Sequence, residues 1–351
     1  MKAGIFDPYL DTIGGGERYA LTLAEFLLRE GWEVDLFWDN PKVKKELTER
    51  LGLKIDQINF KPAIFKKSLL EKVKKLRKYD FIFYLSDGSI PFLFGRKNIL
   101  HFQVPFHDIN GKNFLNKIKL GNIHKIVCNS FFTKKFIDKE FGIESEVVYP
   151  PVAVEEFKPG EKENIILSVA RFTDLLHSKR QDILVEVFKK MVDEGLKDWR
   201  LFLIGGAEDG KKLVAKLKKE TRGYPIEILT NVSFEELKKN YSKAKIFWHA
   251  AGFGIDEEKE PEKVEHFGIT PIEAMASGAV PVVIAKGEAP KIIKNELNGF
   301  LWSTKEELAK ISMTLINRPE KLKEISQNTQ TSSLDYSKQI FWRKFHEIIK
   351  K

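Results

Sequence analysis

Residues Glu265 to Val283 read EHFGITPIEAMASGAVPVV, and the rest of the chain can be read outward from them. Glu265 and Glu273 are separated by a stretch that includes Phe-Gly-Ile-Thr-Pro. Pro271 has the fixed φ and missing N–H that suit a first helical turn. The pattern therefore predicts a helix starting near Thr270, with Thr270 as N-cap, Glu265 in the preceding loop and Glu273 in the first turn. Unpaired N–H groups at such a start, at the positive end of the helix dipole, favour a phosphate. A carboxylate would repel it, so the two acids suit neutral hydroxyls, such as those of a sugar and a ribose. A sugar carried on a nucleoside diphosphate supplies both groups. On pattern alone, Glu273 also reads as an ordinary helix-start acid and Glu265 as one more acid in the run from Asp256.

The string resembles the signature of retaining glycosyltransferases of family 4, whose motif is Glu, seven residues, Glu, with Phe-Gly after the first acid. The resemblance implies the two-domain GT-B fold. It also implies that Glu265 meets the donor sugar hydroxyls and Glu273 the ribose, while the backbone around His266, Phe267, Gly268, Ile269 and Thr270 holds the sugar and diphosphate. The EHFG form is similar to that of mannosyltransferases extending lipid-linked oligosaccharides from a guanosine-linked donor.

Moving outward, the second half alternates strand and helix segments from NIILSVARF through WRLFLIGGA, PIEILTNV and KIFWHAA to VPVVIA. The first half alternates likewise, from AGIFD through EVDLFWD, KIDQINF, FIFYLSD, NILHFQV and KIVCNS to SEVVYPPV. Such alternation predicts α/β architecture, here two Rossmann-like doubly wound domains that face a ligand-binding cleft. The segment PPVAVEEFKPG, Pro150 to Gly160, interrupts the rhythm and reads as the linker. Ile340, Phe341, Phe345, Ile348 and Ile349 recur at helical spacing, and in the resembled fold such a last helix crosses back to the first domain. The expected domains are 1–153 with 336–351, binding the acceptor, and 154–335, binding the donor.

Other motifs gather around this frame. In DTIGGGERY, Asp11 to Tyr19, three glycines at a strand-to-helix turn let backbone N–H groups approach a ligand. The resemblance implies that Gly15 and Gly16 face the cleft near acceptor and diphosphate. Arg171 ends a strand and Lys179 precedes a helix, so both can neutralise a leaving diphosphate. They resemble the family's diphosphate-binding pair, with TDLLHS inserted, so Lys179 is preferred over Arg180. His101 is expected at a strand's carboxyl end, facing the cleft, and resembles the histidine the family sets beside the donor sugar. His107 is a weaker candidate. NVSFEEL, with Val232, matches the loop whose backbone meets the nucleotide base in the family. The chain has no Asp-x-Asp motif, and neither a catalytic metal nor another cofactor is expected beyond the nucleotide-sugar donor.

At 351 residues, with 42% hydrophobic and 31% charged residues, the chain is long enough for two cores. No apolar run approaches the ~20 residues of a membrane span. The N-terminus lacks the pattern of a signal peptide, so a cytoplasmic site is expected, peripheral on the inner membrane face at most. Cys128 is the single cysteine, so no internal disulfide forms. The net charge of +9 concentrates in residues 41–80, which suits an anionic membrane, an acidic acceptor or a nucleic acid, the last disfavoured. There, Leu69, Leu70, Val73 and Leu76 recur at helical spacing, and the ordinary reading packs them on the sheet with the lysines solvated.

The reading is a retaining hexosyltransferase moving a sugar, GDP-mannose favoured as donor, to a lipid-linked or other glycan. The alternatives are a UDP-sugar enzyme with a soluble acceptor, a nucleotide-sugar epimerase or hydrolase, and a basic membrane- or nucleic-acid-binding protein.

Overall fold

The computed structural model describes residues 1–12, 14–65, 67–173 and 179–350, with the side chains of Glu49 and Arg50 left aside. It divides into two compact units, Met1–Pro151 with Lys338–Lys351, and Val152–Ser337.

The first unit contains β1 (Lys2–Phe6), α1 (Gly15–Arg29), β2 (Glu33–Phe37), α2 (Val43–Leu51), β3 (Asn59–Lys61), α3 (Leu69–Leu76), β4 (Phe81–Ser86), β5 (Lys97–Phe102), α4 (Phe114–Leu120), β6 (Lys125–Cys128), α5 (Phe131–Phe141) and β7 (Glu146–Val147). Its strands pair in parallel in the order β3-β2-β1-β4-β5-β6-β7. Near-continuous apolar runs such as FIFYLS follow from burial on both faces.

The second unit contains β8 (Glu163–Val169), α6 (Gln181–Asp193), β9 (Arg200–Gly205), α7 (Lys211–Glu220), β10 (Ile226–Thr230), α8 (Phe234–Lys243), β11 (Ala244–His249), α9 (Ile269–Ala276), β12 (Val280–Ile284), α10 (Ala289–Ile292), β13 (Phe300–Trp302), α11 (Lys305–Ile316) and α12 (Pro319–Ser333). Its order, β10-β9-β8-β11-β12-β13, is again all parallel. The order reverses between β8 and β11, and beyond the carboxyl ends of such neighbours an open α/β sheet leaves room for a ligand.

The chain then returns to the first unit as α13 (Lys338–Lys350), where Phe341, Phe345 and Ile348 enter the core beside α1. Each such side chain contributes about 1.5–3 kcal/mol through burial. Trp342 Nε1 adds a hydrogen bond of 3.3 Å to the Thr22 carbonyl.

Three expectations need correction. The units meet at 151/152 and 337/338, not at 153/154 and 335/336. The stretch read as linker is mostly part of the second unit: Val152, Val154 and Phe157 are buried, and the Phe157 ring packs edge-on to Tyr241. Apolar burial outweighed its prolines. On α3, only Leu76 is buried; Leu69 and Leu70 are exposed, because the eight-residue helix reaches the core with its final turn alone.

Candidate functional site

The site is assembled at the carboxyl edge of the second sheet, at the switch between β8 and β11. β11 is a buried strand that ends in His249. The loop after it carries Glu265, and the loop after β8 ends in Lys179 just before α6. The Lys179 Nζ lies 2.9 Å from Glu265 Oε2, and His249 Nε2 lies 3.3 Å from the same oxygen. Side-chain exposures of 19% for Lys179, 26% for Glu265 and 4% for His249 show a cluster that is mostly enclosed yet still open to solvent. Burial opposes the charge of Glu265, but the Lys179 ammonium and the His249 bond outweigh it and hold the carboxyl well below the usual range.

Glu265 is also fixed through its backbone. Its carbonyl accepts from the Glu288 N–H at 3.2 Å, and Gly287, at φ +61°, approaches so closely that a Cβ there would lie 2.0 Å from that oxygen. The Gly287 N–H in turn donates to Glu257 at 2.8 Å.

The helix after Glu265 starts earlier than the sequence predicts. Gly268, at φ +101°, is the N-cap of α9, so Thr270 lies inside the helix and Pro271 sits at its third position. A left-handed cap is open to glycine and strained for threonine, which is why the start moves to Gly268. The correction also moves Glu273 into the second turn. No side chain caps this helix, so the Ile269 and Thr270 N–H groups remain without intrahelical partners. Glu273, half-buried, accepts a hydrogen bond of 2.9 Å from the phenol of Tyr241, which also donates to the Thr270 carbonyl at 3.3 Å. Phe267 is buried with its ring 5.9 Å from Tyr336, and His266 Nε2 donates to the Pro261 carbonyl at 3.2 Å.

Arg171, directly after the segment that continues β8, is exposed and has no ion pair among the described residues. Of the two cations before α6, Lys179 turns to Glu265, while Arg180 binds both Asp182 oxygens at 3.0 Å and the Phe253 carbonyl at 2.7 Å. The insert between Arg171 and Lys179 lies, from Asp174 to Ser178, outside the described residues. Val232 follows β10 half-buried, beside Asn231, whose side chain accepts from the Ala207 N–H at 3.1 Å.

The other candidates belong to the first unit. Gly15 and Gly16 open α1, and the loop is tied back by buried Glu17, which accepts from the Gly14 N–H and from Thr12 Oγ1. Ile13 of this motif lies outside the described residues. His101 does not face a ligand space. It lies within β5, fully buried, with its ring 3.9 Å from Tyr19 and 5.4 Å from Phe83. The strand's alternation sends residues 99 and 101 to the face covered by α1 and α13. Burial pushes its imidazole down to about 3, with only partial offset from the Val127 backbone, so His101 is a neutral core residue. His107 is partly exposed and lies 2.8 Å from Asp108.

Two residues in contact with these candidates, His249 and Tyr241, escaped the sequence reading. His249 carries the signal that had been credited to His101, a histidine at a strand's carboxyl end. Tyr241 lies in a polar helix and offers no signal of its own. Among the described residues, no group of three His, Cys, Asp or Glu could hold a metal ion.

A half-enclosed carboxylate held by a cation and an imidazole, beside uncapped helix amides, can receive hydroxyls and an anion together. Residues 153–332 match the family described as glycosyl transferases group 1, and residues 13–156 match glycosyltransferase family 4. A GDP-Man:Man(3)GlcNAc(2)-PP-Dol alpha-1,2-mannosyltransferase of Xenopus tropicalis is 30% identical over 351 residues, covering 97% of this chain and 64% of the relative. The Dictyostelium discoideum protein of the same name is 28% identical over 262 residues, covering 68% of this chain and 50% of that one. This chain thus spans half to somewhat under two thirds of these relatives' length. The crystal structure of a glycosyltransferase from Rickettsia africae superposes with a TM-score of 0.80 at 19% identity, covering 99% of this chain and 97% of that one. The chain belongs to the group 1 glycosyl transferases, within family 4, and has the GT-B fold.

Proposed function

We propose that the protein moves a hexosyl group from a nucleoside-diphosphate sugar, GDP-mannose in preference, to a lipid-linked glycan, with retention at the anomeric carbon. The observation that carries this reading is the Lys179–Glu265–His249 cluster at the switch point of the second sheet. The names of the mannosyltransferase relatives support the choice of donor and acceptor.

In this reading, Glu265 accepts hydrogen bonds from the donor sugar and His249 keeps its carboxylate oriented. Glu273, steadied by Tyr241, receives the ribose, and the Val232 loop lies beside the base. Lys179, Arg171 and the Ile269 and Thr270 amides take up the charge that develops on the diphosphate as the anomeric C–O bond breaks. The acceptor hydroxyl forms the new C–O bond, and its proton passes to a diphosphate oxygen. No metal is assigned to the reaction. The first unit receives the acceptor near the start of α1, at Gly15 and Gly16, and the lipid-linked acceptor sets the reaction beside a membrane.

The test is a thermal-shift panel of GDP-mannose, UDP-glucose, UDP-N-acetylglucosamine and the free nucleotides with EDTA present, followed by product analysis with a lipid-linked Man(3)GlcNAc(2) acceptor, the glycan in the relatives' names. GDP-mannose should stabilise the protein most, and NMR should show an α-mannoside. Glu273→Ala should weaken donor binding in a folded protein. A shift with UDP-sugars alone would overturn the donor, and free GDP without a glycoside would turn the reading toward a hydrolase.

A further inference from the structure

Lys162 stands just before β8, at the amino edge of the second sheet and away from the Lys179–Glu265 pair. Helices that return between parallel strands end at that edge, as α8 and α9 do. The Lys162 ammonium donates to the Ala244 carbonyl at 2.8 Å and to the Ser277 carbonyl at 2.6 Å, and these residues are the C-caps of α8 and α9. The final carbonyls of a helix have no intrahelical partner and carry the negative end of its dipole. One cation therefore satisfies both ends and ties them to each other. The backbone before it follows the same course, with the Gly160 N–H donating to the Ser242 carbonyl at 3.1 Å.

Among the described residues, no carboxylate pairs with this ammonium. Burial alone pushes it down to about 8, so it stays mostly protonated at neutral pH. The charges around it are engaged elsewhere. Glu163 of β8 binds Lys243 of α8 at 2.6 Å and Arg200 of β9 at 2.7 Å, and Lys245 of β11 donates to Asn164 at 2.6 Å.

The two helices touch again nearby, where the Tyr241 phenol donates to Glu273 at 2.9 Å. Tyr241 lies three residues before Ala244, and Glu273 four before Ser277. The contact is therefore about one helical turn from the lysine on both helices. Without the ammonium, two helix-end carbonyls lose their shared donor, and the spacing of α8 and α9 is no longer fixed beside that contact.

We propose that Lys162 is a positioning residue for the donor site: by holding the ends of α8 and α9 together, it sets the reach of Tyr241 to Glu273 and so the placement of that carboxylate. The proposal rests on the assignment of Glu273 to the ribose.

The experiment is a double-mutant cycle of Lys162→Met and Tyr241→Phe, with Lys162→Gln as a milder change read in the same assays. Well below the melting transitions, Lys162→Met should raise the GDP-mannose KM about fivefold, of the order of one lost hydrogen bond, with kcat little changed. Lys162→Arg, whose guanidinium can donate to both carbonyls, should restore the parent KM. The double variant should lose about fivefold rather than the product of the two losses, because both act on one contact. The same cycle read by urea denaturation needs no donor and should show the same coupling. Unchanged KM in Lys162→Met, beside a raised KM in Glu273→Ala, would overturn the role of Lys162 and leave the donor reading standing. Additive losses in either cycle would also overturn it. An unchanged KM in Glu273→Ala would remove the ribose assignment, and this proposal with it.

Discussion

Lys179 reaches across the switch point of the second sheet to Glu265, Nζ to Oε2 at 2.9 Å, and so joins the loop after β8 to the loop before α9. The two form an ion pair, yet in the proposed function they meet different parts of the donor. Neutralising the acid should separate the two roles. In Glu265→Gln, transfer should fall about 100-fold, the usual scale for losing one transition-state contact, while free GDP binds as well or better because Lys179 is released. Calorimetry with GDP beside initial-rate assays would check this; weaker GDP binding would remove Lys179 from the diphosphate site.

Gly287 controls the same carboxylate from behind. A Cβ at this position would sit 2.0 Å from the Glu265 carbonyl oxygen, and its φ of +61° disfavours any side chain. Gly287→Ala should cost about 1–2 kcal/mol in stability from the backbone conformation, and its displacement of Glu265 should reduce transfer more than melting temperature suggests. Rates measured well below the melting transition would separate the two effects; unimpaired transfer would show that Glu265 tolerates the shift.

In the proposed function Tyr241 acts through Glu273, to which its phenol donates. Tyr241→Phe leaves the ring packing in place and removes the phenol bonds to Glu273 and the Thr270 carbonyl. The expected cost is about 1 kcal/mol in stability. Donor affinity should fall about fivefold, the same energy expressed as binding, with little change in kcat. A kcat loss without a KM change would contradict a positioning role.

Asp7, at the end of β1, gives the first unit a pH signature. Its burial, with the charge of Glu17 and then Asp11 nearby, raises its carboxyl to about 7 against a lowering bond from the Tyr9 N–H. The folded state therefore keeps a proton that the unfolded chain releases near pH 4, and stability is lost as pH rises from about 4 to 7. The loss is at most about 4 kcal/mol for a shift of this size. Asp7→Asn should be more stable than the parent at pH 8 and comparable at pH 4.5, by urea denaturation at each pH. Equal stabilities at pH 8 would show Asp7 ionised without penalty.

Both parallel sheets were legible from the alternation of strand and helix segments, since strands buried on two faces write themselves as apolar runs. Glu265, Lys179 and Glu273 stood out through the resemblance to the family's motif, since on pattern alone they also read as ordinary acids and a surface cation; of the three, the structure brings Lys179 and Glu265 into contact. Periodicity was less informative where it had no partner to specify: α3 shows helical spacing at Leu69, Val73 and Leu76, but spacing does not reveal that the core ends at Leu76. His101 does lie near the carboxyl end of β5, but its side chain takes the face covered by α1, against Tyr19, and only the register decides between that face and a ligand. His249 meets the same criterion, as the last residue of β11.

The placement of α13 has a consequence for how the molecule is made. Phe341, Phe345 and Ile348 complete an apolar core whose other members are mostly in the chain's first 148 residues. During synthesis those residues must wait for the whole of Val152–Ser337 to be translated, about 10–40 s at ordinary ribosome speeds. Through that interval the nascent first unit holds an open apolar groove beside α1. The second unit, continuous in sequence, can close first, and the protein matures from the middle outward, with its N-terminal half a natural client for chaperones.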